Sequence, residues 1–200
     1  SMTMMKIGWI GTGVMGASMA GHLQKVGHDM SVFTRSKKRA KALLDNGATW
    51  YDSPAEVASN SEIVFSIVGH PEDVQDIFLG SRGILHENAT CKIVVDMTTS
   101  QPSLARTLYE EAAKLGIESL DAPVSGGDVG AKEAKLAIMV GGKKDVYDTV
   151  LPLFEIMGKN ISYMGDAGSG QHTKMVNQIL VAGTMIGVCE ALLYAHRQGL

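Results

Sequence analysis

Cysteine is scarce. Cys91 and Cys189 are the two in 200 residues and lie far apart. A secreted disulfide scaffold would carry many more, so a reducing, cytoplasmic setting is expected. An organelle-targeting segment removed earlier would leave the same sequence. A secretory leader is also lacking, because the first apolar run, residues 7–10, is too short for one and leads straight into glycines. Basic excess is lacking as well: 18 Lys and Arg stand against 21 Asp and Glu, a net charge of −3. That balance argues against a chain built to hold nucleic acid. The histidines and cysteines show no zinc-type spacing, and no G-x-S-x-G hydrolase elbow occurs. No repeat or low-complexity segment is present either.

What is there fits one globular domain with part of a second. Apolar residues make up 45% and charged residues 20%, which excludes wholesale disorder. Glycine is abundant at 23 residues and spread along the chain, as tight turns and close backbone approaches require. Short β-type runs at residues 6–10, 30–33, 49–51, 63–68, 92–96, 117–121, 136–140 and 161–164 alternate with helical patterns. The helices are expected at 14–26, 37–46, from Pro54 onward with Ser53 as N-cap, and at 71–78, 102–115 and 145–157. The run 63–68 is continuously apolar, as in a strand buried on both faces. This βαβα alternation predicts an α/β fold: a doubly wound, mostly parallel sheet of the Rossmann type.

The pattern changes near Ser169. Residues 169–198 read as one proline-free helix, apolar nearly all the way round, which must be covered by something. A transmembrane span is disfavoured by Lys174, Asn177, Gln178 and Glu190 within it. A homo-oligomer formed through this helix, a further domain, or both are expected to cover it. The domain reading is therefore a dinucleotide-binding domain over 1–165 and the start of a long interdomain helix over 166–200.

The dinucleotide reading comes from Gly11-Thr12-Gly13-Val14-Met15-Gly16, a G-x-G-x-x-G placed directly between a strand and a helix. Gly11 permits the tight turn, Gly13 lets the backbone approach a pyrophosphate, and Gly16 lets helix and strand pack closely. The helix N-terminus offers free N–H groups to the anion. The end of the second strand then selects the cofactor. An NAD site usually places Asp or Glu there, to bind the ribose 2′-hydroxyl. This chain has Thr34-Arg35-Ser36-Lys37-Lys38-Arg39, with no carboxylate. Arg35 as a guanidinium fork, with Thr34 and Ser36 as hydroxyl donors, suits a 2′-phosphate. NADP(H) is thus expected over NAD(H), which the same loop could also take. Lys37, Lys38 and Arg39 read equally as a solvated helix face.

Four segments carry a resemblance: Ile7 through Gly16, Asp96-Met97-Thr98-Thr99-Ser100, Asp121-Ala122-Pro123-Val124-Ser125-Gly126-Gly127, and Gly170 through Gln178 with Lys174 inside it. In this order they resemble the β-hydroxyacid dehydrogenases, a family that includes 3-hydroxyisobutyrate dehydrogenase, tartronate semialdehyde reductase and the succinic semialdehyde (glyoxylate) reductases. The resemblance implies hydride transfer between NADP(H) and a small 3-hydroxy acid or its semialdehyde. It implies Lys174 as proton donor and acceptor, and Asn177, three residues on and on the same helix face, as its companion toward the substrate. The implied carboxylate site is Ser125, Gly126 and Gly127, where a hydroxyl and backbone N–H groups meet at a strand end. Thr98, Thr99 and Ser100 would lie near the nicotinamide, although the family commonly has serine-threonine where Thr98-Thr99 stand. Val68, in the loop Val68-Gly69-His70-Pro71, would touch cofactor. A helical C-terminal domain is also implied and is missing from these 200 residues, which are expected to turn over poorly without it.

Two other readings compete. A 6-phosphogluconate dehydrogenase-like enzyme would carry a histidine-asparagine pair after the lysine, where this chain has Val176-Asn177. A non-catalytic NADP-binding module, like imine reductases of the same fold, would lack the lysine.

Overall fold

The central strands alternate their side chains between two apolar faces, and this sets the architecture. The structure is a computed structural model and describes residues 2–199. In β1 (Lys6–Ile10), Ile7 and Trp9 face one side and Ile10 the other; in β4 (Ile63–Ser66), Ile63 and Phe65 oppose Val64; in β5 (Ile93–Asp96), Ile93 and Val95 oppose Val94. Residues i and i+2 share a sheet face, so such strands must be covered by helices on both sides.

One face is covered by α1 (Val14–Val26) and α7 (Lys144–Met157), the other by α3 (Pro54–Ala58), α4 (Pro71–Leu79) and α5 (Pro102–Lys114). On the first face Trp9 stacks on Phe65 at 5.5 Å, and Phe65 meets Phe154 of α7 edge-on at 6.3 Å. Each of these fully buried rings contributes roughly 1.5–3 kcal/mol through burial.

Strands β2 (Asp29–Phe33), β3 (Thr49–Trp50) and β6 (Glu118–Asp121) complete the parallel part, in spatial order β3-β2-β1-β4-β5-β6. This is the doubly wound order: the chain adds strands on one side of β1, then returns to add β4 parallel on its other side, so the strand order switches between β1 and β4. Beyond β6 the sheet departs from a uniform parallel pattern. β7 (Val124–Ser125) and β6 both pair antiparallel with β8 (Leu136–Gly141), and β9 (Gly158–Gly165) runs parallel to β8.

Caps and stops follow the sequence closely. Ser53 Oγ accepts from Glu56 N at 3.2 Å with Pro54 opening α3, and Gly47 and Gly116 take positive φ where helices end. Two expectations need correction. The single helix over 37–46 is a 3-10 turn, Lys37–Ala40, followed by α2 (Lys41–Asp45). Between the strands expected at 117–121 and 136–140 the sequence pattern offers no element, yet β7 and then α6 (Gly127–Lys132) lie there. Two glycines give Gly127–Lys132 poor intrinsic helicity. Tertiary packing decides: Ala131 is buried on α1, where the His22 ring nitrogen bonds its carbonyl oxygen at 2.8 Å.

The final helix, α8 (Ser169–Arg197), buries Gly170 and Gln171 and then leaves the sheet. Its apolar residues Val176, Ile179, Leu180, Val181, Met185, Ile186, Val188, Leu192 and Leu193 are 50–66% exposed. Burial of this helix is therefore not supplied within the described chain. Its length and apolarity would also suffice to cross a membrane, but Lys174 turns back to the sheet domain, as described next.

Candidate active site

The carboxyl ends of β1, β2, β4 and β5 open into a cleft of about 1180 Å³, at the place where ligands bind in open α/β sheets. Its floor is the glycine loop after β1. Gly11 N donates to Phe33 O at 3.0 Å, and Trp9 Nε1 donates to Gly11 O at 2.7 Å, so the turn is tied from both sides. Gly11 has φ +99°, and a Cβ there would run into Ile67 O. A Cβ on Gly16 would strike Gly11 O, whereas one on Gly13 would meet nothing within 4 Å. Gly11 and Gly16 are thus required by the protein's own packing, and Gly13 leaves the approach to the loop open.

These residues fit the pyrophosphate of a dinucleotide. Gly13 caps α1 without a side-chain hydrogen bond, so the first N–H groups of the helix remain available to an anion. Thr12 Oγ1 is buried and has no hydrogen-bond partner. Leaving such a group unsatisfied costs about 1–3 kcal/mol, and a ligand oxygen at the loop would remove that cost.

Along the cleft the structure brings together Gly11, Thr12, Gly13, Val14, Met15, Gly16, Thr34, Arg35, Val68, Thr99, Ser125, Gly126, Gly127 and Lys174. Ser36 and Asn177 do not line it. Ser36 is exposed before the 3-10 turn, and Asn177 Nδ2 contacts Met139 Sδ at 3.7 Å. Arg35 Nη2 donates to Asp73 Oδ1 at 2.7 Å. Of the basic run that follows, Arg39 lines the cleft, while Lys37 lies over the Trp50 ring at 5.6 Å.

Lys174 comes from the second turn of α8. Its Nζ donates to Ser125 Oγ at 2.6 Å, and burial lowers its pKa below the usual 10.5. The lysine side chain reaches across from the helix to the strand-end serine, 49 residues earlier in the chain.

A buried polar cluster under Lys174 went unrecognised as part of the site. Asp121 Oδ1 accepts from Gly168 N at 2.8 Å and its Oδ2 from Gln171 N at 3.0 Å, so one carboxylate clamps the start of α8. Burial raises the Asp121 pKa, against these backbone hydrogen bonds. The Gln171 amide donates to Thr98 O at 2.7 Å and accepts from Ser100 N at 2.9 Å. Asp96 Oδ1 accepts from Ser66 Oγ at 3.2 Å and Thr98 N at 3.1 Å, while Thr98 Oγ1 accepts from Val68 N at 3.1 Å. The available signal was position: Asp96 and Asp121 each end a strand on the ligand side of the sheet.

Comparison with known proteins adds the lineage. Residues 6–165 match the family described as the NAD binding domain of 6-phosphogluconate dehydrogenase, and residues 168–200 match the NAD-binding segment of NADP-dependent 3-hydroxyisobutyrate dehydrogenase. A "probable 3-hydroxyisobutyrate dehydrogenase-like 1, mitochondrial" from Arabidopsis thaliana is 50% identical, over 98% of this chain and 58% of its own length. The 2-hydroxy-3-oxopropionate reductase of Escherichia coli is 40% identical, over 98% and 66% respectively. Among solved structures, the 3-hydroxyisobutyrate dehydrogenase of Mycobacterium tuberculosis with L-serine is 31% identical with a TM-score of 0.91, over 99% of this chain and 67% of that one. The chain thus spans about two-thirds or less of these relatives. With the glycine loop, the strand-end serine and the helix-borne lysine gathered in one cleft, and with both family models matched in succession, the chain belongs to the β-hydroxyacid dehydrogenase family and carries its N-terminal NAD-binding domain.

Proposed function

We propose that the protein transfers hydride between NADP(H) and a small 3-hydroxy acid or its semialdehyde, with Lys174 as proton donor and acceptor. The observation that carries this reading is the 2.6 Å contact of Lys174 Nζ with Ser125 Oγ inside the cleft that the glycine loop also lines. When bound, the nicotinamide supplies or accepts the hydride. The chain's own part is the proton and the charge. In reduction, the Lys174 ammonium gives a proton to the substrate oxygen as negative charge develops there. In oxidation the neutral amine takes the hydroxyl proton. Ser125 holds Nζ at the strand end, and the Gly126 and Gly127 backbone N–H groups beside it suit a substrate carboxylate.

The cofactor choice is supported by Thr34 and Arg35, both on the cleft wall, and by the absence of a carboxylate from the end of β2. The exposed apolar residues of α8 support a second copy of this chain as partner. Sedimentation of a monomer at all concentrations would count against that partner.

Substitution Lys174→Ala tests the chemistry. With succinic semialdehyde, tartronate semialdehyde or glyoxylate, NADPH consumption should fall by about 10²- to 10⁴-fold, the usual range for a lost general acid. NADPH affinity should stay within about threefold, since no cofactor contact is assigned to the amine. A variant that keeps its turnover removes the lysine from the mechanism. Because these 200 residues are expected to turn over poorly without the C-terminal domain, absence of NADPH consumption with binding intact favours the non-catalytic module only when it is found in a chain that carries that domain.

A further inference from the structure

The carboxylate lacking from the end of β2 in sequence is present there in space. Asp73 stands in the first turn of α4, whose opening turn is closed by Asp73 N donating to His70 O at 3.0 Å. Its Oδ1 accepts the Arg35 guanidinium at 2.7 Å, and both residues line the cleft. Arg35 follows β2 and Asp73 follows β4, the two strands that flank β1. The pair therefore joins the parts of the cleft wall that follow β2 and β4. The side chains differ in exposure, 77% for Arg35 and 21% for Asp73, so the acid is the better-fixed partner and the arginine is the one free to turn. Asp52, another acid of the cleft wall, is engaged by Trp50 Nε1 at 3.0 Å; among the described residues, Asp73 is the acid in ion-pair contact with Arg35.

The geometry points to Asp73 as the residue that sets the discrimination between NADPH and NADH. The inference rests on the proposed use of NADP(H) with its adenosine end at Arg35. Asp73 already engages one arm, Nη2, of the guanidinium fork that a 2′-phosphate would use. A phosphate must take that arm from the carboxylate, or bind the other arm beside it, and in either case stays next to its negative charge. A ribose with a free 2′-hydroxyl does neither: the ion pair persists, and the carboxylate can accept a hydrogen bond from the hydroxyl. Specificity of this kind comes from a repulsive element as much as from an attractive one. Because exposed pairs are weak, the effect is several-fold and not absolute. Asp73 thus holds down an NADPH preference that Arg35 alone would make steeper.

The test is Asp73→Asn, with Asp73→Ser as an independent replacement, titrated with NADPH and with NADH by nicotinamide fluorescence. The ratio of the NADH to the NADPH dissociation constant should rise about fivefold, through tighter NADPH binding and unchanged or weaker NADH binding. A ratio that stays the same or falls overturns the inference, as does an equal change for both cofactors, which a merely structural role would give. The cofactor reading fails separately. Tenfold tighter NADH binding by the unaltered protein would sink the NADP(H) preference, while the shift in ratio caused by Asp73→Asn would still report on Asp73.

Discussion

Replacing Asp96 with asparagine should change how stability depends on pH, and the sign can be worked out from its surroundings. Asp96 closes β5, is 5% exposed, and accepts hydrogen bonds from Ser66 Oγ and Thr98 N. Burial pushes its carboxyl up to about 7 from the ordinary 3.8, and the charge of Asp121 adds to the rise, while the Thr98 and Ser66 hydrogen bonds oppose it. Below pH 3.8 both folded and unfolded chains hold the proton. Between there and pH 7 the unfolded chain releases it and the folded chain keeps it, so the folded state loses ground as pH rises. A gap of about three pH units at roughly 1.36 kcal/mol each sets a ceiling of about 4 kcal/mol, reached above pH 7. Asparagine has nearly the same shape and no proton to lose. Urea unfolding of both proteins from pH 4 to 8 at constant ionic strength measures the difference. The variant should gain at least about 1.5 kcal/mol relative to the parent across that range.

His28 tilts the parent's curve the other way. Burial lowers its pKa, so its contribution is lost as pH falls through the usual 6.5. It is present in both proteins and cancels in the difference. Asp121 is also shared, and removing the charge of Asp96 eases it, which adds to the variant's gain at high pH. Parallel stability curves for the two proteins would refute the reasoning.

Three further outcomes follow from the cleft. Gly16→Ala drives a methyl group into Gly11 O and to 3.0 Å from Ile67 Cγ2; NADPH affinity should drop at least tenfold by calorimetry, since the displaced loop is the one proposed to meet the pyrophosphate. Burial lowers Lys174, so the rate of reduction, which in the proposed mechanism draws on the ammonium, should fall as pH rises through that lowered value, while oxidation gains. Ser125→Ala leaves the burial and removes the Oγ that holds Nζ, so kcat should fall about tenfold with NADPH affinity unchanged in the same titration; an unaltered kcat would mean that Nζ needs no such anchor.

The parallel half of the molecule was readable because its signals are local. Apolar runs such as residues 63–66, the N-cap at Ser53 and the stops at Gly47 and Gly116 each act within a few residues. The glycine loop was readable for the same reason. What escaped depends on contacts between distant segments. α6 has little intrinsic helicity and exists because Ala131 packs on α1. Asp73 comes to Arg35 from 38 residues away, and nothing in the sequence of α4 announces its partner. Asn177 shares the expected helix side with Lys174, yet α8 is turned so that its amide rests on Met139 instead of the cleft. Three-residue spacing puts two side chains on one side of a helix, but only packing decides what that side meets.

The rotation of α8 is itself fixed by the buried polar cluster, and this ties the fold to the chemistry. Gly170 lies so close to β6 and β8 that a Cβ would approach Met139 O at 2.5 Å and Asp121 O at 2.9 Å. A helix that begins this close cannot roll without losing its hydrogen bonds. Asp121 holds the N–H groups of the capping Gly168 and of Gln171, and the Gln171 side chain pins the helix to Thr98 and Ser100. Gln171 and Lys174 are three residues apart and so point to the same side. An amide bonded to the ends of the β5 loop therefore aims the lysine at Ser125. Beyond this turn the helix is exposed and could bend or pair freely without disturbing Nζ. The position of Lys174 Nζ, the proposed proton donor, is thus set by the sheet, through Asp121 and Gln171, and not by whatever covers the rest of α8.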